Sequence, residues 1–159
     1  MIILASTSPR RQELLKEVIN DFICITPNYQ EEHLNHLSPE RQVQNLAVNK
    51  ALSIDCKDDD IIISGDTVVV YKDELLEKPI DLEDAFKMLK RLNGQTHSVL
   101  TSLCVMSNNK TVIKIFVSEV TMKQVSDEHI KKYLELHQPL DKAGSYGIQD
   151  KYFNENLLE

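Results

Sequence analysis

Apolar positions along the chain alternate between short continuous runs and helically spaced stripes. Ile2-Ile3-Leu4-Ala5 reads as a short buried strand that passes through Ser6-Thr7-Ser8-Pro9 into a helix. Ser8 is a good N-cap and Pro9 a good first helical residue, with Leu14, Leu15, Val18 and Ile19 forming one apolar face. A second strand is predicted over 22–26, followed by a polar loop over 27–37. Ser38-Pro39 repeats the helix-start signal, and Val43, Leu46, Ala47, Ala51 and Ile54 continue at helical spacing. After a solvated acidic turn at 57–60 come two β-branched runs, Ile61-Ile62-Ile63 and Val68-Val69-Val70-Tyr71, separated by Ser64-Gly65-Asp66-Thr67. Asp81 then caps a helix carrying Leu82, Ala85, Phe86 and Leu89, closed by Asn93-Gly94. Alternation over 96–106 and 112–122 predicts two strands joined by the turn Ser107-Asn108-Asn109-Lys110. Ser126 opens a last helix with Ile130, Tyr133 and Leu134 on its apolar side. Strands and helices interleave throughout, so the fold class is α/β or mixed α+β. Neither an internal repeat nor a linker divides the chain, and one domain over 1–159 is expected.

Composition narrows the function classes. Of 159 residues, 42% are apolar and 27% charged, as in an ordinary globular domain able to bury a core. The net charge of −7 argues against a nucleic-acid polymer as the main partner but leaves room for a small anion held by a few cations. Apolar runs fall far short of the ~20 residues of a membrane span, and the start lacks the basic flank of a signal peptide. Cys24, Cys56 and Cys104 are odd in number and form no metal pattern, so free thiols and a cytoplasmic location are expected. Cys24 and Cys104, inside apolar runs, read as small core residues.

Three features suggest chemistry. In Ser6-Thr7-Ser8-Pro9-Arg10-Arg11, two arginines occupy a helix start that favours anions. Hydroxyls, free N–H groups and guanidinium forks there make a phosphate site, or else a plain capped helix with solvated arginines. Asp66 lies between two apolar runs, where a carboxylate needs compensation. It is either an acid at a strand end projecting into a cleft or part of a Gly-Asp-Thr turn between hairpin strands. Lys50, Lys78 and Lys142 stand near element ends, each alone the pattern of a surface lysine, and Glu31-Glu32 offers acids in the polar loop. The segment Gly144-Ser145-Tyr146-Gly147-Ile148-Gln149 holds two of four glycines and suggests a tightly shaped loop. His33 and His36 are spaced i, i+3 in a loop without a third partner, and no zinc or nucleophile-elbow motif occurs.

Taken in order, these segments resemble the Maf family. The match runs from Leu4-Ala5-Ser6-Thr7-Ser8-Pro9-Arg10-Arg11-Gln12-Glu13-Leu14-Leu15 through Glu31-Glu32, Lys50 and Gly65-Asp66-Thr67-Val68-Val69. Lys78-Pro79, Leu92-Asn93-Gly94, Thr96-His97-Ser98-Val99 and Asp141-Lys142-Ala143-Gly144 through Gln149 complete it. The resemblance implies an elongated mixed sheet flanked by helices, with a cleft between two lobes, similar to inosine-triphosphate pyrophosphatases. It implies cleavage of nucleoside triphosphates to monophosphate and pyrophosphate with a divalent cation, Mg²⁺ or Mn²⁺. Asp66 would be the general base, Ser6, Arg10, Arg11, Lys50 and Lys78 would hold the phosphates, and Glu32 with Asp66 would bind the metal.

Arg10, Thr67 and Gln149 match the trio of the branch acting on dTTP and UTP, so a pyrimidine nucleotide is the expected substrate and house-cleaning of unwanted nucleotides the expected role. Beyond Gln149 the family continues with another strand, a Gly-Leu-Pro segment and a closing helix. Here Asp150 replaces the usual glycine, and a polar tail, Asn154 to Glu159, ends the chain. A non-catalytic nucleotide-binding regulator linked to septum formation is the rival reading, and a purine triphosphatase a third. The expected partner is a nucleoside triphosphate, with a homodimer as a further option; neither a nucleic-acid polymer nor a membrane is expected.

Overall fold

The computed structural model describes residues 1–32 and 34–159; His33, read above with His36, lies outside the described residues. The strands are β1 (Ile2–Ala5), β2 (Ile23–Ile25), β3 (Ile61–Tyr71), β4 (Glu74–Leu76), β5 (Thr96–Ser107) and β6 (Lys110–Thr121). The helices are α1 (Pro9–Lys16), α2 (Pro39–Leu52), α3 (Leu82–Leu92), α4 (Asp127–His137) and α5 (Lys151–Asn156). One mixed sheet runs in the order β2-β1-β3-β5-β6, with β4 attached to β3. β1 pairs in parallel with β2 and β3, whereas β4 is antiparallel to β3. Among the described residues no helix is long and apolar enough to cross a membrane.

The chain divides into two compact units. The first comprises Met1–Asp66 and Thr101–Phe116. Its core gathers Ile3, Ala5, Ala47, Ala51, Ile54, Ile62 and Cys104, all buried. Ser38 caps α2 by accepting the Arg41 N–H at 3.4 Å, as the Ser-Pro signal predicts. Two buried serines fasten α2 to the strands: the Ser64 hydroxyl donates to the Ala47 carbonyl at 2.6 Å, and Ser102 to that of Val43 at 2.7 Å.

Three expectations are corrected in this unit. Gly65-Asp66-Thr67 is not a turn, because β3 runs unbroken through it. A Cβ on Gly65 would lie 2.9 Å from the Ser102 carbonyl oxygen, so the glycine serves close approach of two strands. The apolar face of α1 is not buried: the helix ends at Lys16, before Val18 and Ile19, and Leu14 is 45% exposed. Cys24 is exposed, unlike Cys104, because β2 is an edge strand.

The second unit comprises Thr67–Leu100 and Val117–Glu159. Ala85, Leu89 and Leu92 of α3 join Ile130, Tyr133 and Leu134 of α4 and Phe153 and Leu157 near the end of the chain in one apolar core. Asp81 caps α3 through the Asp84 N–H at 2.8 Å. β3 and β4 are joined by Lys72-Asp73, both at positive φ, the two-residue turn whose twist suits a hairpin. The polar tail is also corrected. Residues 151–156 form α5, Leu157 is fully buried, and Lys123 N–H donates to the Leu157 carbonyl at 2.8 Å while Glu159 N–H donates to Thr121 at 3.0 Å.

Candidate active site

The first unit assembles its charged groups around the middle of β3. Ser64 and Asp66 stand two residues apart and so share one face of the strand. The hydroxyl of Ser64 holds the carbonyl of Ala47, and Lys50 follows three residues later on α2, one turn along. Its ammonium therefore reaches Asp66 Oδ2 at 3.0 Å and, on its other side, Glu31 Oε1 at 3.1 Å. Asp66 is only 9% exposed, so this cation balances a charge that is nearly buried.

The start of α1 also reaches this segment. Ser8 accepts the Arg11 N–H at 3.4 Å, and buried Ser6 accepts the Ser8 N–H at 3.1 Å. No acid occupies the first turn. Arg11 Nη1 donates to the Gly65 carbonyl at 2.8 Å, which brings a guanidinium to the residue beside Asp66. Arg11 and Lys50 thus meet the Gly65-Asp66 segment, and Ser6 lies buried at the start of α1. Arg10 instead lies exposed, 3.7 Å from Glu13. Glu31 is an acid that meets Lys50, while the neighbouring Glu32, expected as a metal ligand, is exposed.

The remaining expected residues belong to the second unit. Thr67 is half-buried in β3, and Lys78 and Gln149 are exposed. Their neighbourhood is tied together, because the Gly144 N–H donates to the carbonyl of Glu77, directly before Lys78, at 3.2 Å. Gly144 has φ 72°, and a Cβ there would come 2.8 Å from Val69 Cγ2.

The loop that follows is anchored from beneath. Gly147 N–H donates to the Tyr133 hydroxyl at 3.0 Å, and that hydroxyl donates to Asp150 Oδ2 at 2.6 Å. Asp150, in the place of the family's glycine, therefore has a defined partner. Tyr146 stacks on Phe153 with centroids 4.4 Å apart and meets His97 Nε2 at 2.5 Å. Burial pushes His97 down to about 4, so its ring is neutral at ordinary pH. Burial, with the Asp150 hydrogen bond, pushes the Tyr133 phenol up, and burial alone does so for Tyr146. In the sequence His97 and Tyr146 stand inside longer segments with no mark of their own. Their pairing across 49 positions leaves no periodic signal.

Comparison with known proteins follows the same lines. A family model described as Maf-like protein matches residues 1–155. The chain is 43% identical over 153 residues to a dTTP/UTP pyrophosphatase of Clostridium botulinum (strain Eklund 17B / Type B), covering 93% of this chain and 81% of that protein. It is also 43% identical over 151 residues to a protein of the same name from Flavobacterium psychrophilum, covering 94% and 77%. In structure it is similar to a nucleoside-triphosphatase / dITP/XTP pyrophosphatase from Mycobacterium abscessus. The TM-score is 0.52 at 12% identity, over 78% of this chain and 75% of that one, a likeness of fold.

Proposed function

The chain belongs to the Maf-like protein family, and from that premise we propose that it hydrolyses dTTP and UTP to the nucleoside monophosphate and pyrophosphate. The observation that carries this reading is the convergence of Lys50 and Arg11 on the Gly65-Asp66 segment. Cations gathered at a carboxylate suit a reaction in which a polyanion must be held while water is deprotonated. In this reading Asp66 accepts a proton from water as its oxygen bonds to phosphorus. The bond to the oxygen bridging the α- and β-phosphates breaks, and pyrophosphate leaves with that electron pair. By the family resemblance Ser6, Arg10, Arg11, Lys50 and Lys78 would hold phosphate oxygens, Thr67 would belong to the substrate-binding set, and Gln149 would read the base. Gln149 both donates and accepts, which matches the alternating edge of uracil or thymine.

The donor set fits a hard divalent cation. Asp66 and Glu31 already share one positive charge through Lys50. Among the described residues no cluster of three or more acids, histidines or cysteines could hold a metal alone. Mg²⁺ is commonly held by one or two carboxylates together with substrate phosphates and water, and two carboxylates are what this site supplies. Asp66, with Glu31 or Glu32, would hold the ion, which when bound neutralises charge on the phosphates. The role that follows is removal of unwanted pyrimidine triphosphates.

A pyrophosphate-release assay over dTTP, UTP, dCTP, ATP, GTP and 7-methyl-GTP, with Mg²⁺ or Mn²⁺, tests the reading. Higher kcat/KM for dTTP and UTP is expected. Binding without turnover would establish a regulator instead, and preferred cleavage of 7-methyl-GTP would overturn the substrate assignment.

A further inference from the structure

His97 is 3% exposed and carries two polar ring atoms, of which Nδ1 has no hydrogen-bond partner among the described residues. A leucine or phenylalanine would fill the same space without burying an orphaned nitrogen, so packing alone does not account for histidine there. Its other nitrogen meets the hydroxyl of Tyr146, itself 7% exposed, and the two rings pack edge to face. Tyr146 lies in the middle of the loop that leads to Gln149.

That loop adopts backbone conformations it would not hold unaided. Gly144 and the non-glycine Ser145 both have positive φ, 72° and 68°, and such strain persists only where surrounding contacts fix it. The contacts include hydrogen bonds from three other segments of the fold. Glu77 accepts from Gly144, Tyr133 accepts from Gly147, and His97 meets Tyr146. Two further side chains of the loop are bonded, Ser145 Oγ to Met88 Sδ at 3.1 Å and Asp150 Oδ2 to the Tyr133 hydroxyl at 2.6 Å, and the pair at Tyr146 differs from both in being buried on each side.

We propose that His97 is a positioning residue whose hydrogen bond to Tyr146 fixes the 144–150 loop so that Gln149 meets the nucleotide base. This rests on the reading of Gln149 above and extends it: base selection depends on a buried histidine as well as on the glutamine. His97→Leu and Tyr146→Phe each delete the bond from one side and keep most of the volume. Each should raise KM for dTTP and UTP roughly tenfold, change kcat much less, and narrow the preference over dCTP and ATP. The double variant should be no worse than either single one, because both remove the same interaction. His97→Gln, whose amide reaches the position of Nε2, should recover much of the loss.

Hydrogen exchange supplies a readout independent of turnover. Amides of 144–150, Gly147 above all, should exchange faster in His97→Leu and Tyr146→Phe, with protection elsewhere unchanged. Should His97→Leu fail to fold, Tyr146→Phe removes a single oxygen and carries the test. Unchanged KM and unchanged loop exchange in a folded variant would overturn the proposal. So would an equal loss for every nucleotide accompanied by lower thermal stability, the mark of a merely structural residue. A wild type without pyrimidine preference would overturn the reading of Gln149, and loop exchange alone would then decide whether His97 positions the loop.

Discussion

Asp66 occupies mid-strand, with one flank held by Lys50 and the neighbouring carbonyl held by Arg11. Asp66→Asn keeps an oxygen to accept from Lys50, whose ammonium also retains Glu31 at 3.1 Å, so the fold should survive. Loss of the base should lower kcat by about 10²–10⁴ while leaving triphosphate affinity largely intact. Steady-state kinetics with calorimetric binding checks both halves, and a folded Asn variant with near wild-type kcat would remove Asp66 from the role of base. At this scale the sequence was informative about residue types and poor about partners. Asp66 was marked by its apolar flanks, whereas Lys50 looked like any surface lysine. The Ser64–Ala47 and Ser102–Val43 hydrogen bonds, invisible to periodicity, fasten α2 where Lys50 meets Asp66.

β3 shows what local propensity misses. Gly-Asp-Thr carries turn chemistry, but the strand continues because its backbone pairs on through the apolar runs on both sides. Gly65→Ala places a methyl group 2.9 Å from the Ser102 carbonyl oxygen, a backbone atom that cannot step aside. A loss of about 1–3 kcal/mol is expected from the forced strand shift, read from urea unfolding. Activity should fall with it, since the Gly65 carbonyl also seats Arg11. The helices with Ser-Pro and Asp caps were legible because each cap acts within four residues. β4 was not, since Lys72-Asp73 lacks the glycine that usually marks a two-residue hairpin. α5 was hidden for another reason: Phe153 and Leu157 give too short a stripe to stand out until tertiary packing buries them.

For the whole molecule, burial of neutral His97 links folding to pH. Its folded value of about 4 lies below the ordinary 6.5, so between the two the unfolded chain binds a proton that the native chain does not. This contribution to stability is complete above pH 6.5 and is lost as pH falls toward 4, by up to about 3 kcal/mol. Urea unfolding of wild type and His97→Leu between pH 4.5 and 7.5 should show the difference shrinking toward acid. A constant difference would mean that the ring titrates normally in the native state. The sheet carries a further consequence at its rim. β6 ends the strand order, and Val112, Ile113, Phe116 and Val117 stand 37–61% exposed along it. Such a border is where chains in a concentrated stock first find one another, through backbone groups seeking partners and side chains seeking cover. Lys110 and Lys114, charged and set into the same strand, work against that approach. Light scattering from a concentrated stock is therefore expected to rise faster as added salt screens these two lysines, which are remote from Asp66 in sequence.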